Sequence, residues 1–308
     1  WHAARVTADE CFTEGMKQLD LSRGADHFSE YRQDLEDALT WFDRALSFDP
    51  NHIGARRERA FTLASLDRHA EAVEAFSRAL ENAPDDADLL LGAGKANTAA
   101  GAPERAVEQF EAMLRLRPAD PDAAFGRAQA LTALERHAEA APAWEQAIDR
   151  LSGFLRARAR LARAGCLAKL GRSEAPGAFR EAFDADAGHL YGPLAPSELH
   201  AALRAHEAAR LAFRAHVEAQ VSSAQAWQRA GHAWLAAGRG EEAVEAWERA
   251  IGFAPTDAHC WFGKAEALTL AGRLDEAATH YRRALELWPE FLGARARLEA
   301  IERERAGR

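Results

Sequence analysis

The feature that most restricts what this chain can become is a 34-residue period running through nearly its whole length. Alanines that precede an aromatic ring by four residues fall at Ala38, Ala72, Ala106, Ala140, Ala175, Ala209, Ala243 and Ala277, every interval being 34 residues except one of 35. The rings are Phe42, Phe76, Phe110, Trp144, Phe179, Phe213, Trp247 and Tyr281. Three residues past each ring stands Ala45, Ala79, Met113, Ala147, Ala182, His216, Ala250 or Ala284. Offsets of four and then three return to one face of an α-helix. Small residues on that face let a second helix approach closely, and the ring fills the space between them. Pro50, Pro84, Pro118, Pro255 and Pro289 follow five residues later. A residue without an N–H stops a helix there and biases its predecessor away from helical geometry.

A second helix lies upstream of each of these. It is plainest at Trp227, Ala230, Gly231 and Trp234, closed by Gly238, and at Trp261, Lys264, Ala265 and Leu268, closed by Gly272. Glycine suits the left-handed cap of a helix, so each unit reads as helix, tight turn, helix. An Ala-rich chain poor in Val and Ile also favours helix over sheet. These residues resemble the tetratricopeptide-repeat signature W-x2-L-G-x2-Y…A-x3-F…P, and the resemblance spans about residues 7–290. It implies an all-α fold, a right-handed superhelical solenoid of antiparallel helix pairs, with about eight units and a C-terminal capping helix. Phe291, Ala294, Leu298 and Ile301 would line one face of that cap. One hairpin cannot bury its apolar face alone, whereas stacked neighbours share one core.

Three units depart from the pattern. In the first, Gly15 precedes Ala38 by 23 residues, where Gly94 precedes Ala106, and Gly231 precedes Ala243, by 12. About 11 extra residues therefore sit within Asp20–Asp34, expected as a longer second helix plus loop. Thr7 and Glu10 form a capping box for the first helix. The fifth unit has an indistinct first helix rich in arginine: Arg156, Arg158, Arg160 and Arg163. In the sixth, Gly188 to Pro196 reads as a loop with two prolines, and Ser197 to Val221 as one long helix with Leu199, Leu203, His206, Phe213, Val217 and Val221 on one face. A discontinuity is expected near residues 186–197, dividing the chain into residues 1–186, a degenerate unit 187–223, and residues 224–308 with two regular units and the cap.

The chemistry expected of such a chain is sparse. Gly92-Ala-Gly-Lys95 superficially suggests a phosphate loop, but Leu89 stands where the first glycine is required, Ala96 replaces Ser/Thr, and the segment lies mid-helix. Twelve histidines include no HExxH; His69 and His137 recur at one phase of the repeat, and His200, His206 and His216 fall together in the sixth unit. Cys11, Cys166 and Cys260 lie far apart, with no CxxC, so neither a zinc site nor a disulfide framework is expected. No GxSxG, Cys/His pair or carboxylate pair stands out. The expectation is a non-enzyme without metal or cofactor. A net charge of −9 lacks the concentrated basic face that nucleic acid needs. No apolar run approaches membrane-spanning length and no signal peptide is seen; a cytoplasmic setting is expected.

In the family that the repeats resemble, the first helices line a concave groove where peptides or partner helices bind. The groove-facing phases fall on Arg57 and Phe61; Leu91, Lys95 and Thr98; Phe125, Gln129 and Thr132; Gln228 and His232; and Phe262 and Glu266. Family members that grip chaperone tails use Lys and Asn, then Asn, then Lys and Arg, at phases where this chain has Arg57 and Phe61, then Gly92, then Asp122 and Gly126, so a heat-shock chaperone tail is not expected. Phe61, Leu91 and Phe125 favour a protein or peptide partner with apolar anchors, while Arg156, Arg160 and Arg163 form a basic patch for an acidic segment. The expected function is a protein-interaction scaffold or adaptor. Two alternatives stay open: a regulatory or targeting portion of a larger enzyme, which a chain opening on Trp1 rather than Met suggests, and a self-assembling oligomeric scaffold.

Overall fold

Helix capping, ring burial and close glycine contacts together turn the 34-residue period into stacked helix pairs. The computed structural model describes residues 7–24, 28–190, 197–219 and 223–306. The described residues form seventeen helices, distributed over two compact units, Trp1–Arg150 and Leu151–Arg308. Unit 1 pairs α1 (Ala8–Ser22) with α2 (Phe28–Phe48) and α3 (Ile53–Ser65) with α4 (His69–Asn82). It then pairs α5 (Ala87–Ala99) with α6 (Pro103–Leu116) and α7 (Pro121–Ala133) with α8 (His137–Ile148). Unit 2 pairs α9 (Gly153–Lys169) with α10 (Ala175–Leu190) and α11 (Ser197–Ala205) with α12 (Glu207–Ala219). Pairs α13 (Ala224–Ala236) with α14 (Gly240–Phe253) and α15 (Ala258–Leu270) with α16 (Leu274–Leu287) follow, and α17 (Leu292–Ala306) closes the chain. The expected all-α architecture of eight helix pairs and a final helix is the one that forms.

All 24 phase positions of the period are buried, none more than 4% exposed. In α6 and α14 the ring is held between two first helices. A Cβ on Gly94 would come within 2.6 Å of the Phe110 ring, and one on Gly126, in the next first helix, would enter the same ring. Trp247 is clasped likewise by Gly231 and Gly263. The small residues are therefore a steric requirement of the stack. Among the described residues, six of the pairs turn through a left-handed residue, which is glycine at Gly101, Gly171, Gly238 and Gly272 but Asp67 (φ 58°) and Glu135 (φ 56°) in α3–α4 and α7–α8. Just after this turn Arg68, Arg136, Arg239 and Arg273 each pair with the glutamate three residues on, inside the first turn of the second helix. That places a carboxylate at the positive end of the helix dipole.

Of the irregular units, the first behaves as read: α2 is 21 residues long, and Thr7 and Glu10 make the reciprocal capping box. The sixth differs from expectation. Its first-helix slot holds a short helix, α11, and the predicted single long helix is broken at His206. The physical reason is a ready donor for the free helix end: the Arg210 guanidinium donates to the carbonyls of Leu203 (3.1 Å) and Arg204 (3.3 Å), so terminal carbonyls of α11 are satisfied without continuing the helix. The helix α10 also runs to Leu190, three residues into the segment expected as loop. Residues 191–196, with both prolines, and Val221 lie outside the described residues.

Candidate partner-binding surface

In unit 1 the first helices α3, α5 and α7 are successive neighbours, and a four-residue step along each brings side chains to their shared face. Between α3 and α5 lies a cavity of about 520 Å³. Phe61, Leu91 and Lys95 line it together, with Ala64, Ala96 and Ala99 as walls and Phe76 as floor. The concavity depends on Gly92, where a Cβ would lie 2.6 Å from the Phe76 ring and 3.0 Å from Phe61. Phe61 stands edge-on to Phe76 at 5.1 Å between centroids. The same cavity takes in His69, Ser65 and Asp88, which the groove prediction did not name. Ala64 and Ser65 follow Phe61 by three and four residues, so continuing its helical face would have found them.

The charges around this cavity are matched across helices. Arg57, with its guanidinium 5.3 Å above the Phe61 ring, pairs with Asp86 and with Asp88 (3.1 Å). Asp88 also receives Arg117 at 3.1 Å, and Lys95 binds Asp122 of α7 at 2.7 Å. Half-exposed pairs such as these contribute about 0–1 kcal/mol each. Their larger effect is to leave the rim with no surplus charge, so an uncharged apolar group fits the cavity best. Burial pushes the Glu58 carboxyl up, against the lowering effect of Arg57 and Arg23.

The remaining predicted positions are anchored in various ways. Thr98 donates to the Gly94 carbonyl within its own helix (2.9 Å). On α7, Phe125 meets Trp144 edge-on at 5.1 Å, Thr132 accepts the Trp144 indole N–H at 2.9 Å, and Gln129 is exposed. In unit 2, Gln228 donates to Asp257 (2.8 Å) and contacts Cys260 Sγ (3.0 Å), while His232 stands against Trp247 at 4.8 Å. Burial pushes the Cys260 thiol up to about 11, which makes it a poor nucleophile. Phe262 packs on Phe291 at 4.7 Å, and Glu266 accepts the Tyr281 hydroxyl and pairs with Arg297 at 3.0 Å. Burial first, and then Glu266, drive the Tyr281 phenol upward.

The predicted basic patch is also tied into the fold. Arg156 donates to the Leu151 carbonyl (2.6 Å), Arg160 lies 3.7 Å from Glu181, and Arg163 is half-buried. Gly92-Ala-Gly-Lys95 is continuous helix within α5. Among the described residues no group of His, Cys, Asp and Glu is arranged to hold a metal, and no helix is long and apolar enough to cross a membrane.

The sequence matches the tetratricopeptide-repeat profile over residues 29–91, 99–155 and 229–290, more than half of the chain. The chain belongs to the tetratricopeptide-repeat family. A comparison with curated proteins finds no match. Among solved structures, this tetratricopeptide-repeat chain resembles that of the MamA protein, at 21% identity and TM-score 0.51 over 61% of this chain and 98% of that one. It also resembles a tetratricopeptide-repeat protein from Parabacteroides merdae, at 14% identity and TM-score 0.49 over 94% of this chain and 99% of that one. The repeats place it among protein-interaction scaffolds in general terms.

Proposed function

We propose that this tetratricopeptide-repeat protein is a non-catalytic scaffold that holds a peptide or helical segment of a partner by an uncharged apolar side chain. The observation that carries this reading is the cavity between α3 and α5: about 520 Å³, walled by Phe61, Leu91 and small residues, with its rim charges paired off. That volume exceeds a single side chain and suits a large apolar anchor together with its neighbours on the ligand, and desolvated aromatic pockets of this kind supply most of the binding energy of an interface. Gln129 on α7 and Thr98 on α5 would contact the polar backbone of the ligand beyond the anchor. A cytoplasmic setting is part of the proposal; the three cysteines are buried thiols in α1, α9 and α15, as suits a reducing compartment.

The test is selection of a random peptide library on the immobilised chain, followed by binding measurements on the enriched peptides. Recovered peptides are expected to share an apolar residue at a fixed position and to bind Leu91→Arg at least about tenfold more weakly, a loss of about 1.4 kcal/mol. Equal binding to the native chain, to Leu91→Arg and to Phe61→Ala would remove the cavity from the account.

A further inference from the structure

The other face of unit 1 carries a second cavity, built by the second helices α2 and α4 and crossed by α3. It measures about 350 Å³ and is lined by Leu46, Pro50, Arg56, Arg59 and Arg78, with Asp43 the one carboxylate in the lining. Three guanidinium groups around one carboxylate run against the composition of this part of the chain, where residues 1–150 carry 28 acidic and 17 basic side chains. The three arginines are differently employed. Arg56 is spent on the fold: it donates to the Pro50 carbonyl (2.7 Å), to Asn51 (2.9 Å) and to Asn82 (2.6 Å). Arg59 donates to Asp43 through Nε (2.5 Å), which directs only one edge of its guanidinium at that carboxylate. Among the described residues, no carboxylate is seen to pair with Arg78, and its side chain is exposed at the cavity.

The repeat supplies an internal control. The same groove recurs 171 residues later between α12 and α14, where Arg249 keeps the place of Arg78, but Trp227 and Ala230 replace Arg56 and Arg59, Arg214 replaces Asp43, and Glu218, Glu242, Glu245 and Glu248 line the cavity. A basic cavity is therefore a property of residues 43–78 and not of the architecture. We propose that this cavity is a second recognition site, which takes an acidic side chain of a partner peptide between Arg78 and Arg59. The flanking apolar residue of that peptide lies on Leu46 and Pro50. Guanidinium groups favour carboxylates because their paired N–H donors match two oxygens. The site lies apart from the cavity between α3 and α5, so it gives the scaffold two separate points of attachment.

Fluorescence anisotropy with a short labelled peptide of alternating Leu and Glu tests the site on the full chain. Replacing Glu by Gln in the peptide, or making Arg78→Glu in the protein, is expected to weaken binding at least about tenfold, the scale of a hydrogen bond to a charged group. Arg78→Lys is expected to fall between, and Arg249→Glu, the same change at the equivalent position of unit 2, to bind like the native chain. Arg78 is exposed, so an unchanged thermal midpoint for its variants separates lost binding from lost fold. No binding of the Leu/Glu peptide, equal binding of its Gln form, equal loss with Arg249→Glu, or binding only when serine phosphate replaces Glu would each overturn the proposal.

Discussion

The two compact units use one repeat to different ends. In unit 1 the pairs α3–α4, α5–α6 and α7–α8 follow the period closely, and their shared first-helix face keeps an open apolar cavity framed by the pairs Arg57–Asp88 and Lys95–Asp122. In unit 2 the corresponding face of the last two pairs is filled: Phe262 lies against Phe291, Gln228 is bound to Asp257, and Glu266 holds Tyr281 and Arg297. Charge differs as well, since basic residues slightly outnumber acidic ones, 22 to 20, in residues 151–308. The buried phase positions are equivalent in both. What separates the units is therefore decided on the helix faces that the period leaves unconstrained, and that is where unit 1 has room for a ligand.

The largest effect should come from the clasped rings, which the comparison treats as equivalent. Phe110→Ala in unit 1 and Trp247→Ala in unit 2 are each expected to cost about 3–5 kcal/mol through the cavity left behind. Urea unfolding of each variant, followed by circular dichroism, measures the loss, and a cost below about 1 kcal/mol for either ring would break the equivalence. Gly126→Leu and Gly263→Leu probe the same contacts by overfilling them, with an expected cost of about 1–3 kcal/mol.

A smaller difference is expected with pH. Burial holds His200, His206, His232 and His280 of unit 2 below the ordinary histidine value of 6.5. A group whose folded pKa is depressed binds its proton more readily in the unfolded chain. Its stabilising contribution is thus complete above pH 6.5 and is lost as pH falls through the folded value. In unit 1 the raised Glu58 carboxyl acts with the opposite sign, favouring the fold as pH falls. Hydrogen exchange corrected for intrinsic rates should show α11–α16 losing protection between pH 7 and pH 5 relative to α3–α6. Equal loss in both would contradict this assignment.

The smallest expected change sharpens the contrast between turns. Unit 2 has glycine at each left-handed turn position cited above, whereas unit 1 has one glycine there, Gly101, beside Asp67 and Glu135. Glu135→Gly should raise stability by about 0.5–1 kcal/mol, because relief of the left-handed strain outweighs the added freedom of the unfolded glycine. The matching change in thermal midpoint is small but measurable, and a decrease would show that Glu135 is not strained.

Much of this fold could be read in advance because its core is periodic. Ala38, Phe42 and Ala45, and their equivalents in every other unit, are buried where a helical offset of four and three puts them. The break at His206 was hidden for a definite reason. No glycine or proline marks it, and the group that makes it possible is the Arg210 side chain reaching back to Leu203 and Arg204. The candidate surface was legible only in outline. Helical phase places Phe61, Leu91 and Lys95 on facing helices, and the structure brings them into one cavity. It gave no sign that Arg57 and Lys95 would be neutralised by Asp88 and Asp122, because those partners lie 31 and 27 residues away. The cavity with Arg56, Arg59 and Arg78 escaped notice since its members come from a first helix and a second helix at unrelated phases of the period.

The central claim is that the cavity between α3 and α5 holds an apolar side chain of a protein partner. The most direct measurement places a photoreactive benzoylphenylalanine at Leu91, with Gln225 in unit 2 as the control position, and maps crosslinks to a peptide selected on the native chain. Crosslinking from position 91 to the apolar anchor of that peptide, with none from position 225, is the predicted result. Crosslinks from position 225 alone, or an unbroken interaction with no crosslink from position 91, would contradict it.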